Sequence, residues 1–261
     1  MYDKVGLTVL GSGSSGNCTL VHIGNEAVMI DAGFSLKEIR RRMECVGLSD
    51  LNIRGILVTH EHDDHVKGLR VCSNHFNAPI FATAACAETL RLHDKKLGQM
   101  IRITPGGRFD LAGFTICPFS IPHDARDPVA YASYHETVKI GVATDIGYAS
   151  AGVEYELRNC NSLLLESNHD IQMLASSTRP WSLKQRILGR TGHLSNETCA
   201  ELLSRIVGSY TRNIILGHVS RECNCEEMVR QNGIQALASI GRNDIRLEVA
   251  RQDEPLQTFW N

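Results

Sequence analysis

The segment Gly55-Ile-Leu-Val-Thr-His60-Glu61-His62-Asp63-Asp64-His65 constrains this chain more than any other stretch. Its first five residues form a short apolar, β-branched run, the pattern of a strand buried on both faces. The next six residues hold three imidazoles and three carboxylates. Residues i and i+2 of an extended chain share a face, so His60 and His62 can point the same way. Asp64 and His65 fall in the following turn, within reach of a second ion beside the first. Mixed nitrogen and oxygen donors of this kind suit borderline-soft divalent cations.

Other strand tips repeat the pattern. His123 follows Phe119-Ser-Ile121, Asp145 follows Ile140-Gly-Val-Ala-Thr144, and His218 follows Ile214-Ile-Leu-Gly217. Each is an apolar run that ends in a ligand-type residue. Four strands therefore deliver donors toward one rim.

The remaining pattern is α/β. Val5–Leu10, Thr19–Ile23 and Ala27–Ile30 read as strands separated by glycine-rich turns. Thr115–Ile121, Val129–Tyr134, Lys139–Thr144, Ser162–Glu166 and Asn213–Leu216 read likewise. Ser35 caps a helix that Gly47 ends, Ser195 caps another with Glu197 in its first turn, and Asn224 is expected to cap a third. The expectation is a single domain over residues 1–261, built from two α/β halves that meet near residue 125. A chain of 261 residues with 43% apolar content can bury such a core without staples.

A formal net charge of −2 leaves polyanion affinity to a local patch or to bound metal. No basic-then-apolar leader opens the chain and no apolar run is long enough for a bilayer, so a cytoplasmic protein without membrane association is expected. Nine cysteines, mostly within apolar runs, suit a reducing compartment. Cys223-x-Cys225 lacks a second pair and reads as structural. Arg40-Arg41-Arg42 reads as a solvated helix face. His22, His75, His93, His135 and His169 fall at no strand tip and read as surface or packing residues.

His-x-His-x-Asp-His at a strand end resembles the metallo-β-lactamase superfamily, and Ile30-Asp31-Ala32-Gly33 is similar to its structural aspartate motif. The resemblance implies a four-layer αβ/βα sandwich. It implies one metal held by His60, His62 and His123, a second held by Asp64, His65 and His218, and Asp145 bridging them. The aspartate bridge and His65 look like the phosphodiesterase and glyoxalase branches. Gly192-His193-Leu194-Ser195-Asn196-Glu197 and Gly217-His218-Val219-Ser220-Arg221-Glu222 resemble motifs of the tRNase Z and RNase J branches. Gly11-Ser12-Gly13-Ser14-Ser15-Gly16-Asn17-Cys18 is similar to the YycJ/WalJ/VicX group of DNA 5′-exonuclease-like proteins. Between Asp145 and His193 there is no room for a β-CASP insertion.

Two divalent ions (zinc, manganese or iron) about 3.5–4 Å apart would share a water, lower its pKa and direct hydroxide at phosphorus. Asp64 is the candidate to orient that hydroxide. His193, by resemblance to tRNase Z, would contact the phosphate or protonate the leaving oxygen, with Glu166 holding its imidazole. Arg179, Lys184, Arg186 and Arg190 are candidates to line a groove for successive phosphates, with Trp181 stacking on a base. Asn17 and the glycine loop either line a phosphate channel or form a tight hairpin turn. The expected substrate is nucleic acid, DNA in preference to RNA. A glyoxalase II-like thioester hydrolase and a metal-stabilised nucleic-acid-binding or regulatory module are the alternatives. Oligomeric state is not legible in the sequence.

Overall fold

Alternating β-branched runs and amphipathic helices resolve into two seven-stranded sheets in a computed structural model that describes residues 4–261. The chain begins with β1 (Val5–Gly11), β2 (Cys18–Ile23), β3 (Glu26–Ile30), α1 (Leu36–Cys45), β4 (Asn52–Leu57), α2 (Asp63–Val66), α3 (Leu69–Phe76), β5 (Ile80–Thr83), α4 (Ala84–His93) and β6 (Met100–Ile103). It continues through β7 (Phe109–Leu111), β8 (Phe114–Ser120), β9 (Val129–His135), β10 (Val138–Ala143), α5 (Ala151–Leu157), β11 (Ser162–Glu166), α6 (Ile171–Ser176) and α7 (Trp181–Leu188). It ends with α8 (Asn196–Ile206), β12 (Asn213–Gly217), α9 (Glu226–Ser239), β13 (Arg246–Val249) and β14 (Phe259–Trp260). The sheet orders are β14-β1-β2-β3-β4-β5-β6 and β13-β12-β11-β10-β9-β8-β7.

Alternating side chains decide the layering. Leu7, Val9, Val28 and Leu57 of the first sheet meet Ile116, Tyr131, Val142 and Ile215 of the second in a shared core. The other face of the first sheet is covered by α1, α3 and α4 through Ile39, Met43, Leu69, Cys72 and Leu90. The other face of the second is covered by α5, α8 and α9 through Leu157, Leu202, Val229 and Leu237. The result is the expected helix–sheet–sheet–helix sandwich. Strands β11 and β12 are buried along their whole length, which accounts for their unbroken apolar runs.

Parallel pairing then aligns the strand tips. β3 runs parallel to β4, and β10, β11 and β12 run parallel to one another. Their C-terminal ends open on loops, where ligands of open α/β sheets bind.

Three local expectations differ from the structure. The chain passes from the first sheet to the second at residues 104–108 and not near 125: β7 to β13 all join the second sheet, and β14 returns to the first. The residue at the N-cap of α9 is Cys225; Asn224 instead donates to the loop carbonyls Ser167 O (3.2 Å) and Asn168 O (3.0 Å). Of the three arginines on α1, Arg40 and Arg41 are exposed, but Arg42 is buried over Phe34 and donates to Leu10 O and Gln252 O, both at 2.8 Å. Three successive helical positions span about 200°, and Arg42 falls beside Ile39 and Met43 on the buried side of α1. Among the described residues no helix is long and apolar enough to cross a membrane.

Candidate metal centre

Asp31, just past β3, is the anchor on which the first group of donors is built. Buried and in the left-handed region (φ 60°), it accepts from Thr59 N (2.8 Å), Thr59 Oγ1 (2.9 Å) and His65 Nδ1 (2.7 Å). The Thr59 hydroxyl also lies 3.0 Å from His60 Nδ1. Val58 still donates to Phe81 O (2.9 Å), so the chain stays extended toward His60 and His62 before turning into α2. His62 holds the N-cap position of α2, and His65 N donates to His62 O at 2.9 Å.

The second sheet supplies its donors from three tips. His123 follows β8, Asp145 follows β10 and His218 follows β12. Asp145 (φ 59°) and His218 (φ 54°) are also left-handed, so each side chain turns back over its strand end at the cost of backbone strain. The ligand atoms of His60, His62 and His123 lie within 4.8 Å of one another, and so do those of Asp64, His65 and His218. His60, His65 and Asp145 form a third such group, which links the first two.

The hydrogen bonds of these residues fit a divalent cation. His65 commits Nδ1 to Asp31, His123 commits it to Gly192 O (3.3 Å), and His218 commits it to Glu166 Oε1 (2.8 Å). Fixing one ring nitrogen on an acceptor aims the other at a metal. His123 Nε2, His218 Nε2 and Asp145 Oδ2 are buried without a hydrogen-bond partner, although His65 Nε2 lies 3.2 Å from Asp145 Oδ2. Such orphaned donor atoms are costly unless a cation or an ordered water meets them.

Electrostatics favour the ligating forms of most of these groups. Burial opposes ionisation of Asp64 and Asp145, but the imidazoles around them outweigh it and hold both carboxyls well below the usual range. Burial keeps His60 and His123 below their ordinary value and therefore neutral. For His65 and His218 burial acts in the same sense, but neighbouring carboxylates win and raise both: Asp31 and Asp145 for His65, and Asp145, Asp64 and Glu166 for His218.

Glu166, at the end of β11, sits beneath this group. One oxygen accepts from His193 Nδ1 and His218 Nδ1, each at 2.8 Å; the other accepts from Ile146 N (2.7 Å) and Leu194 N (3.2 Å). Burial opposes its ionisation, yet His193 and His218 pull it down to about 2. His193 is partly exposed, with Nδ1 3.6 Å from Asp145 Oδ1. Burial would lower its pKa, but Glu166 overrides this and raises it.

The structure thus brings His60, His62, Asp64, His65, His123, Asp145, His218, Glu166 and His193 together. Asn17 joins them, 5% exposed, with Nδ2 3.1 Å from His65 Nε2. The basic candidates are not assembled in this way. Lys184 is buried and donates to Ala175 O and Ser177 O, both at 2.7 Å, so it does not line a groove. Arg179 pairs with Glu222 (2.9 Å) and Arg186 with Asp124. Trp181 is exposed.

Several contributors are absent from the strand-tip pattern. Ser12 Oγ accepts from His218 N (2.9 Å), and Asn168 Nδ2 donates to His218 O (2.8 Å). Asn168 follows the apolar strand β11, so the tip rule applied to short amides would have found it. His169 and His22 are buried, and both ring nitrogens of His169 lack partners. Cys223 packs with Leu174 and Ile187, and neither it nor Cys225 joins a metal-ligand group among the described residues.

Comparison with known proteins agrees with this geometry. Residues 26–219 match a family described as a β-lactamase superfamily domain. The chain is 32% identical over 236 residues to exodeoxyribonuclease YycJ of Bacillus anthracis, covering 90% of this chain and 89% of that one. It is 33% identical to exodeoxyribonuclease WalJ of Streptococcus pneumoniae, covering 88% and 87%. Its fold is similar to that of the metallo-β-lactamase fold protein YhfI of Bacillus subtilis, with a TM-score of 0.73, 14% identity and coverage of 99% and 100%.

Proposed function

Because this chain belongs to the β-lactamase superfamily and is a metal-dependent hydrolase, we propose that it is a phosphodiesterase that uses two divalent ions to shorten DNA from a 5′ end. The observation that carries the reading is the pair of ligand groups, His60–His62–His123 and Asp64–His65–His218, with Asp145 shared between them. The relatives named exodeoxyribonuclease support DNA as the substrate.

When bound, the ions neutralise charge on a phosphoryl group and lower the pKa of water. The chain's own residues orient and exchange protons around that chemistry. Asp64, ionised and held by Asn17, accepts a hydrogen bond from the incoming water. Glu166 fixes His193 through Nδ1 at 2.8 Å, which leaves Nε2 of this partly exposed ring to donate a proton to the leaving oxygen. Asp31, Gly192 O and Glu166 keep three imidazoles in the tautomer that aims Nε2 inward.

The test is protein purified without chelator, analysed for metal and incubated with end-labelled DNA in zinc, manganese or iron. Stepwise loss of nucleotides from the 5′ end is expected. Cleavage of a glutathione thioester with no DNA hydrolysis under any metal would replace this reading with a thioesterase.

A further inference from the structure

Between Arg179 and Arg190 lie four basic side chains, and three of them are already engaged within the fold. Arg179 pairs with Glu222, Arg186 with Asp124, and Lys184 with two carbonyls. Arg190 differs. It is exposed, and among the described residues its guanidinium has no ion pair or hydrogen bond; its carbon lies 4.5 Å above the ring centroid of half-exposed Tyr148. Stacking of this kind holds the planar cation in place while leaving its N–H fork unmatched.

The backbone fixes the pair to the rim of the metal centre. A Cβ on Gly147 would sit 2.2 Å from Arg190 O, so only glycine lets the two loops approach. Gly147 N donates to Pro122 O (2.7 Å), Asp124 N to Thr191 O (3.1 Å) and His123 Nδ1 to Gly192 O (3.3 Å). Tyr148 is thereby three residues from Asp145, and Arg190 three from His193. A guanidinium that lies over a ring and is unpaired among the described residues, beside a centre proposed to handle phosphate, is matched to phosphate oxygens.

Resting on the phosphodiesterase reading above, we infer that Arg190 binds a second phosphate of a nucleic-acid strand, one outside the metal centre, and that Tyr148 positions it. This contact distinguishes a polynucleotide from a small diester, which has only one phosphate to offer.

The test compares Arg190→Ala, Tyr148→Ala and Tyr148→Phe with the wild type, all metal-loaded. Binding of a labelled, cleavage-resistant phosphorothioate DNA strand is followed by fluorescence anisotropy across salt concentrations. Arg190→Ala is expected to weaken binding several-fold and to flatten the log–log salt slope by about 0.7, the value for one phosphate contact on a single strand. Its loss of kcat/KM on DNA is expected to exceed its loss on bis(p-nitrophenyl) phosphate by about tenfold. Tyr148→Ala is expected to follow it in part, and Tyr148→Phe, which keeps the ring, to bind DNA like the wild type. Unchanged DNA binding and slope in Arg190→Ala, or equal losses on the two substrates, would overturn the assignment. Tyr148→Ala binding like the wild type would remove the positioning role. Wild-type protein that binds DNA but cleaves neither substrate would defeat the phosphodiesterase reading and leave the Arg190 contact standing.

Discussion

Asn17 and Asp64 are joined twice: Asn17 N donates to Asp64 O at 2.8 Å, and Asn17 Nδ2 reaches Asp64 Oδ2 at 3.3 Å. The glycine loop is thereby tied to the turn that carries Asp64. The same amide accepts from Gly13 N (2.9 Å) and Ser12 Oγ (3.1 Å), and Ser12 in turn accepts from His218 N. Asn17→Ala is expected to weaken metal binding about 10–100-fold, as loss of a ligand's hydrogen-bonded support does elsewhere. Competition against a chelating dye measures it. Intact metal affinity with lost DNA binding would make Asn17 a substrate contact instead.

Replacement of Glu166 with Gln keeps the shape but not the hydrogen-bond pattern. With its carbonyl oxygen turned to His193 and His218, the new NH₂ group faces Ile146 N and Leu194 N, two donors without an acceptor. Each buried donor left unmatched costs about 1–3 kcal/mol. Urea denaturation of metal-free protein is expected to show the loss. An unchanged midpoint would mean that the pocket relaxes around the amide.

His193→Ala separates proton delivery from metal holding. Its Nδ1 is committed to Glu166, so metal content is expected to match the wild type while turnover on DNA falls about 10²–10⁴-fold. Elemental analysis beside the activity assay decides the point. Loss of metal in this variant would place His193 among the ligands.

His22 gives the fold a pH dependence away from the metal centre. It is buried beside Thr8 Oγ1 (3.1 Å) and edge-on to Trp260, and burial holds its pKa down to about 4 from the ordinary 6.5. Between those values the unfolded chain binds the proton and the folded one does not, so stability falls as pH drops from about 6.5 to 4. Below about 4 the folded form is protonated too, and this residue takes no more. The full effect is roughly 3 kcal/mol. Denaturation of wild type and His22→Gln at pH 7.5 and 5 is expected to show a smaller drop in the variant. Equal drops would assign the acid sensitivity elsewhere.

The candidate donors were legible because an apolar strand followed by a histidine or aspartate is a local pattern, repeated at His60, His123, Asp145 and His218. The layers were legible for the same reason: strands buried on both faces are apolar throughout. What a side chain does after leaving its own element was not. Arg42 and Arg41 are adjacent and chemically identical, yet one is buried under carbonyls from residues 10 and 252 and the other is exposed. Lys184 looks like a phosphate contact until the fold supplies the Ala175 and Ser177 carbonyls that accept its hydrogen bonds. The Arg190–Tyr148 stack joins positions 42 apart, and no periodicity links them. Nor could strand runs say which sheet would accept β7 and β8.

The left-handed turns at Asp145 and His218 carry a further consequence, for descent. Each holds a non-glycine residue in strained backbone, at roughly 1–3 kcal/mol, to present its side chain. In a lineage freed from its chemistry, glycine in place of Asp145, whose Oδ2 has no hydrogen-bond partner, would relieve that strain and leave the sheets untouched. Asp31 and His218 would not drift in the same way, since Asp31 braces Thr59 and His65 and His218 donates to Glu166. Decay of such a protein would therefore begin at the tip that carries Asp145, where chemistry and ease of folding pull in opposite directions.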